Sequence, residues 1–364
     1  MNPKFKRNLG RILPFGVIWL VISCFSIIND LSLTRNQNFN PDTDVTLTIP
    51  VIIIASLASF LVGLLVGFLE MVFLAYRFRK FSFTRALVYK LTLYLLLMTV
   101  VVALIYPIVA SIESGNSIFS QEVLQKTARF FNSITFLNTM IQLGFSLLVS
   151  MIYTGISEHL GYNFLRNLVL GKYHHPQEEN RIFMFLDMNE STAIAERLGH
   201  IRYFDLLQAY YEIMSDPIIQ HQGEVYQYIG DEVVITWEAA EGLKSNHAVA
   251  CFFRIEENLR RHASKFESEF GVVPYFKAGI HLGEVTAGEL GALKKEIVFT
   301  GDVLNTAARI QSMCKTYRQT LIISREVKDG LEAPDQIKME SLGEVVLRGR
   351  EESGALYGVR GLVP

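Results

Sequence analysis

The chain has 364 residues, half of them hydrophobic, with 34 Lys and Arg against 36 Asp and Glu, a formal net charge of -2 and a mean hydropathy of +0.27. That length suits two domains better than one, and the near-neutral balance argues against nucleic acid as a partner, since such proteins carry a basic face or stripe. Cys24, Cys251 and Cys314 lie far apart and lack CxxC spacing, which speaks against a disulfide framework and against a zinc site.

The apolar excess sits in the first 160 positions. A membrane-spanning helix needs roughly 20 mainly apolar residues to cross about 30 Å of hydrocarbon, and four segments qualify: Ile12 to Ile28, Ile49 to Leu69, Leu91 to Ile112 and Ile134 to Tyr153. The first follows a basic start (Lys4, Lys6, Arg7, Arg11), so a cleaved signal peptide with Ser23-Cys24 as a poor cleavage site competes. Cleavage would leave three spans and put the two ends on opposite sides, which favours a retained span. Between spans two and three lie Arg77, Arg79, Lys80, Arg85 and Lys90, whereas the other two loops are acidic or mixed. Basic loops stay inside, so the expectation is a multi-pass inner-membrane domain, in contact with lipid, with both termini cytoplasmic. Glu70 and Lys90, at span edges, are expected to anchor the helices at the interface.

From Ser157 to Asn180 a short amphipathic stretch closed by Pro176 reads as a helical coupler. Leu160, Phe164, Leu165 and Leu168 recur at helical spacing, able to pair two copies of the chain or to pack locally. His174 and His175 fit a solvated pair better than a metal site.

The remainder, 181–364, reads as a soluble catalytic domain. RIFMFLD is an apolar strand ending in Asp187, followed by a segment of helical periodicity. GEVYQYIGDEVVITW is a hairpin in which Gly230 supplies the turn and Asp231 stands at a strand tip. Taken singly, either aspartate is an ordinary turn former. Together on adjacent strands they are the carboxylate pair that phosphoryl-transfer enzymes use for divalent metals. KAGIHLGEVTAGELG reads as a strand hairpin with close glycines, Gly279, Gly283 and Gly288, where backbone can approach a partner or a ligand. IVFTGDVLNTAARIQSM puts Gly301-Asp302 at a strand-to-helix turn with Asn305 and Arg309 on one helix face.

FLDMNEST, YIGDEVVITW, GIHLGEVTAGELG and FTGDVLNTAARIQ, in this order and at this spacing, resemble the catalytic domain of class III adenylate and guanylate cyclases over about 180 to 362. The resemblance implies an α-helical membrane domain followed by an α+β ferredoxin-like βαββαβ core. It also implies a homodimer with sites at the interface, two Mg2+ or Mn2+ per site and a nucleoside triphosphate substrate. One protomer would give Asp187, the Met188 carbonyl and Asp231 to the metals. The other would give Asn305 for the ribose and Arg309 for the transferring phosphate, and one of Arg348 or Arg350 stands where the family carries a triphosphate-binding Lys. Base choice would fall to Gln227, where the family usually carries Lys in adenylate and Glu in guanylate cyclases, and to Val298, three residues before Gly301-Asp302. Gln227 offers a donor and an acceptor and fits adenine or guanine, while Val298 favours neither. ATP is the preferred substrate, GTP the alternative. Glu190 and Glu232, beside the metal aspartates, are expected in supporting rather than general-base roles. The rival readings are an inactive cyclase-homology domain and a diguanylate cyclase of the GGDEF type, whose second Gly and Phe are missing here.

Overall fold

The computed structural model describes residues 3–34, 49–74, 77–78, 81–346 and 353–362. Helices α1 (Pro3–Thr34), α2 (Ile49–Leu69), α3 (Phe83–Ser114), α4 (Gln121–Phe131) and α5 (Ile134–Leu160) form one compact unit, Phe5–Arg166. Among the described residues, four stretches are long and apolar enough to cross a membrane: Asn8–Asn29, Ile52–Leu74, Phe83–Ser111 and Ile134–Glu158. Their outward faces are exposed leucines, isoleucines and valines, as a lipid-facing surface requires.

The third of these helices starts before the apolar run at Leu91, because Lys90 is neutralised inside the bundle. It forms an ion pair with Glu70, and Tyr94 donates to the same carboxylate at 3.3 Å. Glu70 is 2% exposed and opens a π-helical turn, Glu70–Leu74. These two residues therefore hold helices together and do not anchor the interface, since a buried charge must be paired. A polar seam also joins α1 to α5, where Trp19 donates to Ser150 (3.1 Å) and Ser26 to Gln142 (3.0 Å).

The expected coupler is not one helix. Its first residues continue α5 to Leu160, Gly161 breaks the chain direction at φ 85°, α6 (Tyr162–Val169) follows, and its last residues already belong to a strand. Leu160 and Phe164 thus lie on different helices.

Residues Asn167–Pro364 fold around one mixed sheet. Its elements are β1 (Gln177–Met188), α7 (Ser191–Leu198), α8 (His200–Gln220), β2 (Glu224–Ile229), β3 (Glu232–Glu238), α9 (Ala239–Leu243), α10 (His247–Arg261), α11 (Ala263–Phe270), β4 (Phe276–Leu290), β5 (Glu296–Thr300), α12 (Asp302–Tyr317), β6 (Leu321–Ser324), α13 (Arg325–Gly330), β7 (Ile337–Val346) and β8 (Ser353–Leu362). The order β2-β3-β1-β4, with each neighbour antiparallel, is the expected βαββαβ core, and β6, β8 and β7 extend it beyond β4. Strand β1 is apolar on both sides because both are covered. Ile182, Met184 and Leu186 pack against α8 and α10, while Phe183 and Phe185 face Val303 and Ala307 of α12.

The glycine-rich segment expected as a hairpin is a single 15-residue strand, β4, paired with β1 along its length. Gly279 and Gly283 serve helix packing, whereas Gly288 lies against Pro176. A Cβ on Gly279 would lie 2.2 Å from the Gln311 backbone nitrogen, and one on Gly283 would lie 2.7 Å from Val303 Cγ2. Only bare backbone lets α12 settle on the sheet here.

Candidate functional site

Because β1 is antiparallel to β3 and β4, its end meets the beginnings of both. Leu186 pairs with Val233, and Asp187 pairs with Lys277. Alternation puts Asp187 in the row of Phe183 and Phe185, on the α12 side, where the apolar row runs out and a carboxylate can stay partly in water. Asp231 reaches the same sheet end from the two-residue turn between Ile229 and Glu232, with Gly230 at φ 66°. Tyr211 on α8 donates its hydroxyl to the Gly230 carbonyl at 2.7 Å and rests its ring 4.4 Å from that of Tyr228, which pins the turn.

Two carboxylates so close repel. Burial, then the Asp231 charge, push the Asp187 carboxyl above the usual range, against the opposing pull of Lys277. Burial with the charges of Asp187 and Asp231 raises Glu232 to about 6. The Tyr203 phenol is raised by burial and by the charge of Asp231. This field attracts a cation, and the Asp231 Oδ2 atom is buried without a hydrogen-bond partner. Among the described residues no group of three or more His, Cys, Asp or Glu forms a protein-only metal cage. Two carboxylates and a neighbouring peptide carbonyl nevertheless fit Mg2+, which keeps waters and takes the rest of its shell from substrate phosphates. Met188 ends the strand with its side chain in the core, so its carbonyl follows directly on Asp187.

Two further residues meet this carboxylate, and the motifs that contain them do not single them out. Lys277 Nζ lies 3.3 Å from Asp187 Oδ2, and Gln311 Nε2 donates to the same oxygen at 3.1 Å. Strand pairing reveals Lys277 once the register is known, whereas Gln311 depends on how closely α12 approaches β4.

Asn305 and Arg309 lie elsewhere on α12. The sheet-facing stripe is Val303, Thr306, Ala307, Ile310, Gln311 and Cys314. At 100° per residue, Asn305 and Arg309 sit about 120° and about 160° round the helix from Gln311, so they point away from Asp187 of the same chain. Asn305 is exposed, and Arg309 keeps one shielded Nη1 without a partner. Gln227 is exposed on the edge strand β2 and Val298 is half-buried on β5. Their neighbours Tyr226 and Phe299 stack edge-on at 5.2 Å, on the α12 side of the sheet. Glu190 is exposed with φ 57° at the start of α7. Arg348 and Arg350 lie outside the described residues.

Comparison with known proteins agrees with this geometry. Residues 173–359, just over half of the chain, match the adenylate and guanylate cyclase catalytic domain family. Adenylate cyclase 2 of Rhizobium meliloti (strain 1021) is 33% identical over 204 residues, 56% of this chain and 56% of that protein. Adenylate cyclase 1 of the same strain is 30% identical over 186 residues, 50% of this chain and 27% of that protein. The matched region thus spans about half or less of these curated relatives. A solved bacterial light-regulated adenylyl cyclase shares the fold, with a TM-score of 0.52 at 20% identity, covering 60% of this chain and 63% of that one. With the carboxylate pair at the sheet end, the βαββαβ order and this match over 173–359, the chain belongs to the adenylate and guanylate cyclase catalytic domain family.

Proposed function

We propose that the chain is a membrane-bound adenylate cyclase that converts ATP to 3′,5′-cyclic AMP and pyrophosphate at two sites shared between the protomers of a homodimer. One observation carries this reading: Asp187 and Asp231 converge with an unpartnered buried oxygen, while Asn305 and Arg309 of the same chain face away from them. A second copy, packed head to tail, would bring its Asn305 and Arg309 to this carboxylate pair. Two Mg2+ or Mn2+ ions, when bound, lower the pKa of the ribose 3′-hydroxyl and share the triphosphate charge.

The protein's part is to hold and orient. Asp187, Asp231 and the Met188 carbonyl form the metal cradle, and Asn305 orients the ribose for in-line attack. The new bond joins the 3′ oxygen to the α-phosphorus, the bond to pyrophosphate breaks, and the hydroxyl proton leaves to solvent. Arg309 supplies fixed positive charge where negative charge gathers on the transferring phosphate. Lys277, beside Asp187, stands where it can turn to the triphosphate. Gln227 faces the base through an amide that donates and accepts. ATP is favoured over GTP because the two relatives described above are adenylate cyclases.

The four apolar helices anchor the catalytic half with both termini in the cytoplasm. Arg77, Arg79, Lys80 and Arg85 keep the middle loop basic even after Lys90 is neutralised by Glu70. The test is product analysis of purified full-length protein with ATP or GTP and Mg2+ or Mn2+. Cyclic AMP is expected. Cyclic GMP as the main product reverses the base assignment, cyclic di-GMP points to the rival enzyme class, and no product under any condition points to an inactive signalling domain.

A further inference from the structure

We propose that Gln311 is a positioning residue for Asp187 of its own chain, so that helix α12 serves two sites: Gln311 the one built on its own aspartates, Asn305 and Arg309 the one completed with a partner. The proposal rests on the shared-site reading and adds to it a division of labour within one helix.

Two observations support it. Gln311 is 6% exposed, belongs to the sheet-facing stripe and donates to Asp187 Oδ2 at 3.1 Å, the oxygen that also meets Lys277 at 3.3 Å. Both donors meet Oδ2, so the carboxylate is held through one of its oxygens. Secondly, the donor cannot drift. The missing side chain of Gly279 seats the Gln311 backbone against β4 at a distance no other residue permits, and β4 also carries Lys277.

The two donors differ in kind. Lys277 is charged and partly exposed, free to follow an incoming phosphate. Gln311 is neutral and buried, and leaving Asp187 would strand its amide without a partner. Gln311 is therefore the donor that stays through the reaction. On the opposite side of the same helix, Asn305 and Arg309 point away from the aspartate pair of their own chain.

The test uses a heterodimer with a single live site. Asp187→Ala and Asn305→Ala chains carrying different affinity tags are co-expressed and purified through both tags. The live site takes Asp187 from the Asn305→Ala chain and Asn305 with Arg309 from the Asp187→Ala chain. Gln311→Met, close in volume but without a donor, is then placed on one chain or the other.

On the Asn305→Ala chain it raises the KM for Mn2+ about 10- to 100-fold, the usual cost of losing a group that orients a metal ligand, with a smaller fall in kcat at saturating metal. On the Asp187→Ala chain the shift is at least about five-fold smaller. Equal shifts from both placements overturn the proposal. If the heterodimer without Gln311→Met is inactive, the shared-site reading fails instead. Mn2+ binding to full-length protein, followed by electron paramagnetic resonance, then decides the Gln311 question on its own. A Kd weakened about 10-fold or more by Gln311→Met upholds it, and an unchanged Kd overturns it.

Discussion

In the helical unit of Phe5–Arg166 the buried polar side chains mostly satisfy one another. Trp19 meets Ser150, Ser26 meets Gln142, Ser59 donates to Ser23 at 3.0 Å, and Glu70 has both Lys90 and Tyr94, with Arg11 Nε and Ser157 Oγ as the exceptions. The catalytic unit leaves its important groups short. Asp187 and Asp231 repel each other, Asp231 Oδ2 has no partner, and Arg309 Nη1 is shielded and unpaired. Apolar surroundings make unsatisfied groups costly, so the first unit is built to hold itself together. On the proposed function, the second tolerates the cost because metal, nucleotide and a second chain would complete it.

The sharpest way to break this contrast is at the carboxylates. Asp231→Asn is expected to lower cyclase activity by about 10³-fold, the several kcal/mol that a metal contributes to a phosphoryl transition state. It should not lower the thermal midpoint of the metal-free protein, because it removes a repulsion; a lower midpoint by scanning calorimetry would make Asp231 a structural residue. Next in size, Arg309→Ala should cost about 10²- to 10³-fold in kcat with folding intact, as removal of a transition-state donor does; steady-state kinetics at saturating metal check it.

In the helical unit the expectation reverses. Glu70→Ala strands Lys90 in the bundle and should destabilise the protein by about 3 to 5 kcal/mol, seen as a lower unfolding midpoint in detergent. In the catalytic unit, Gly279→Ala should cost about 1 to 3 kcal/mol through overpacking against α12, measured by denaturant unfolding.

The smallest effect is in pH. Glu232 titrates at about 6 in the fold against an ordinary 4.5, so the folded protein binds more protons than the unfolded chain between these values. Stability of the metal-free protein should therefore fall as pH rises from 4.5 to about 6, and Glu232→Gln should flatten that slope.

The sequence reads well where chemistry is local. The apolar runs announce the spans, a strand ending in Asp187 and the Ile229-Gly230-Asp231 turn announce the carboxylates, and Asn305 and Arg309 share a face by spacing alone. It reads poorly where the meaning lies in tertiary register. Glu70 and Lys90 looked like interface anchors because their separation in sequence hides their pairing across α2 and α3. Gly279 and Gly283 suggested a hairpin because clustered glycines usually mark turns, whereas they make room for a helix. Gln311 sits within the last recognised motif, yet its contact with Asp187 exists only after α12 has settled on β4.

The shared site is most directly tested by cyclase assays on full-length Asp187→Ala, on Asn305→Ala and on the two co-expressed. Each variant alone should be nearly inactive. The co-expressed pair should regain activity through the one intact site that half of its heterodimer interface provides, and a pair as inactive as its parts would contradict a site divided between two chains.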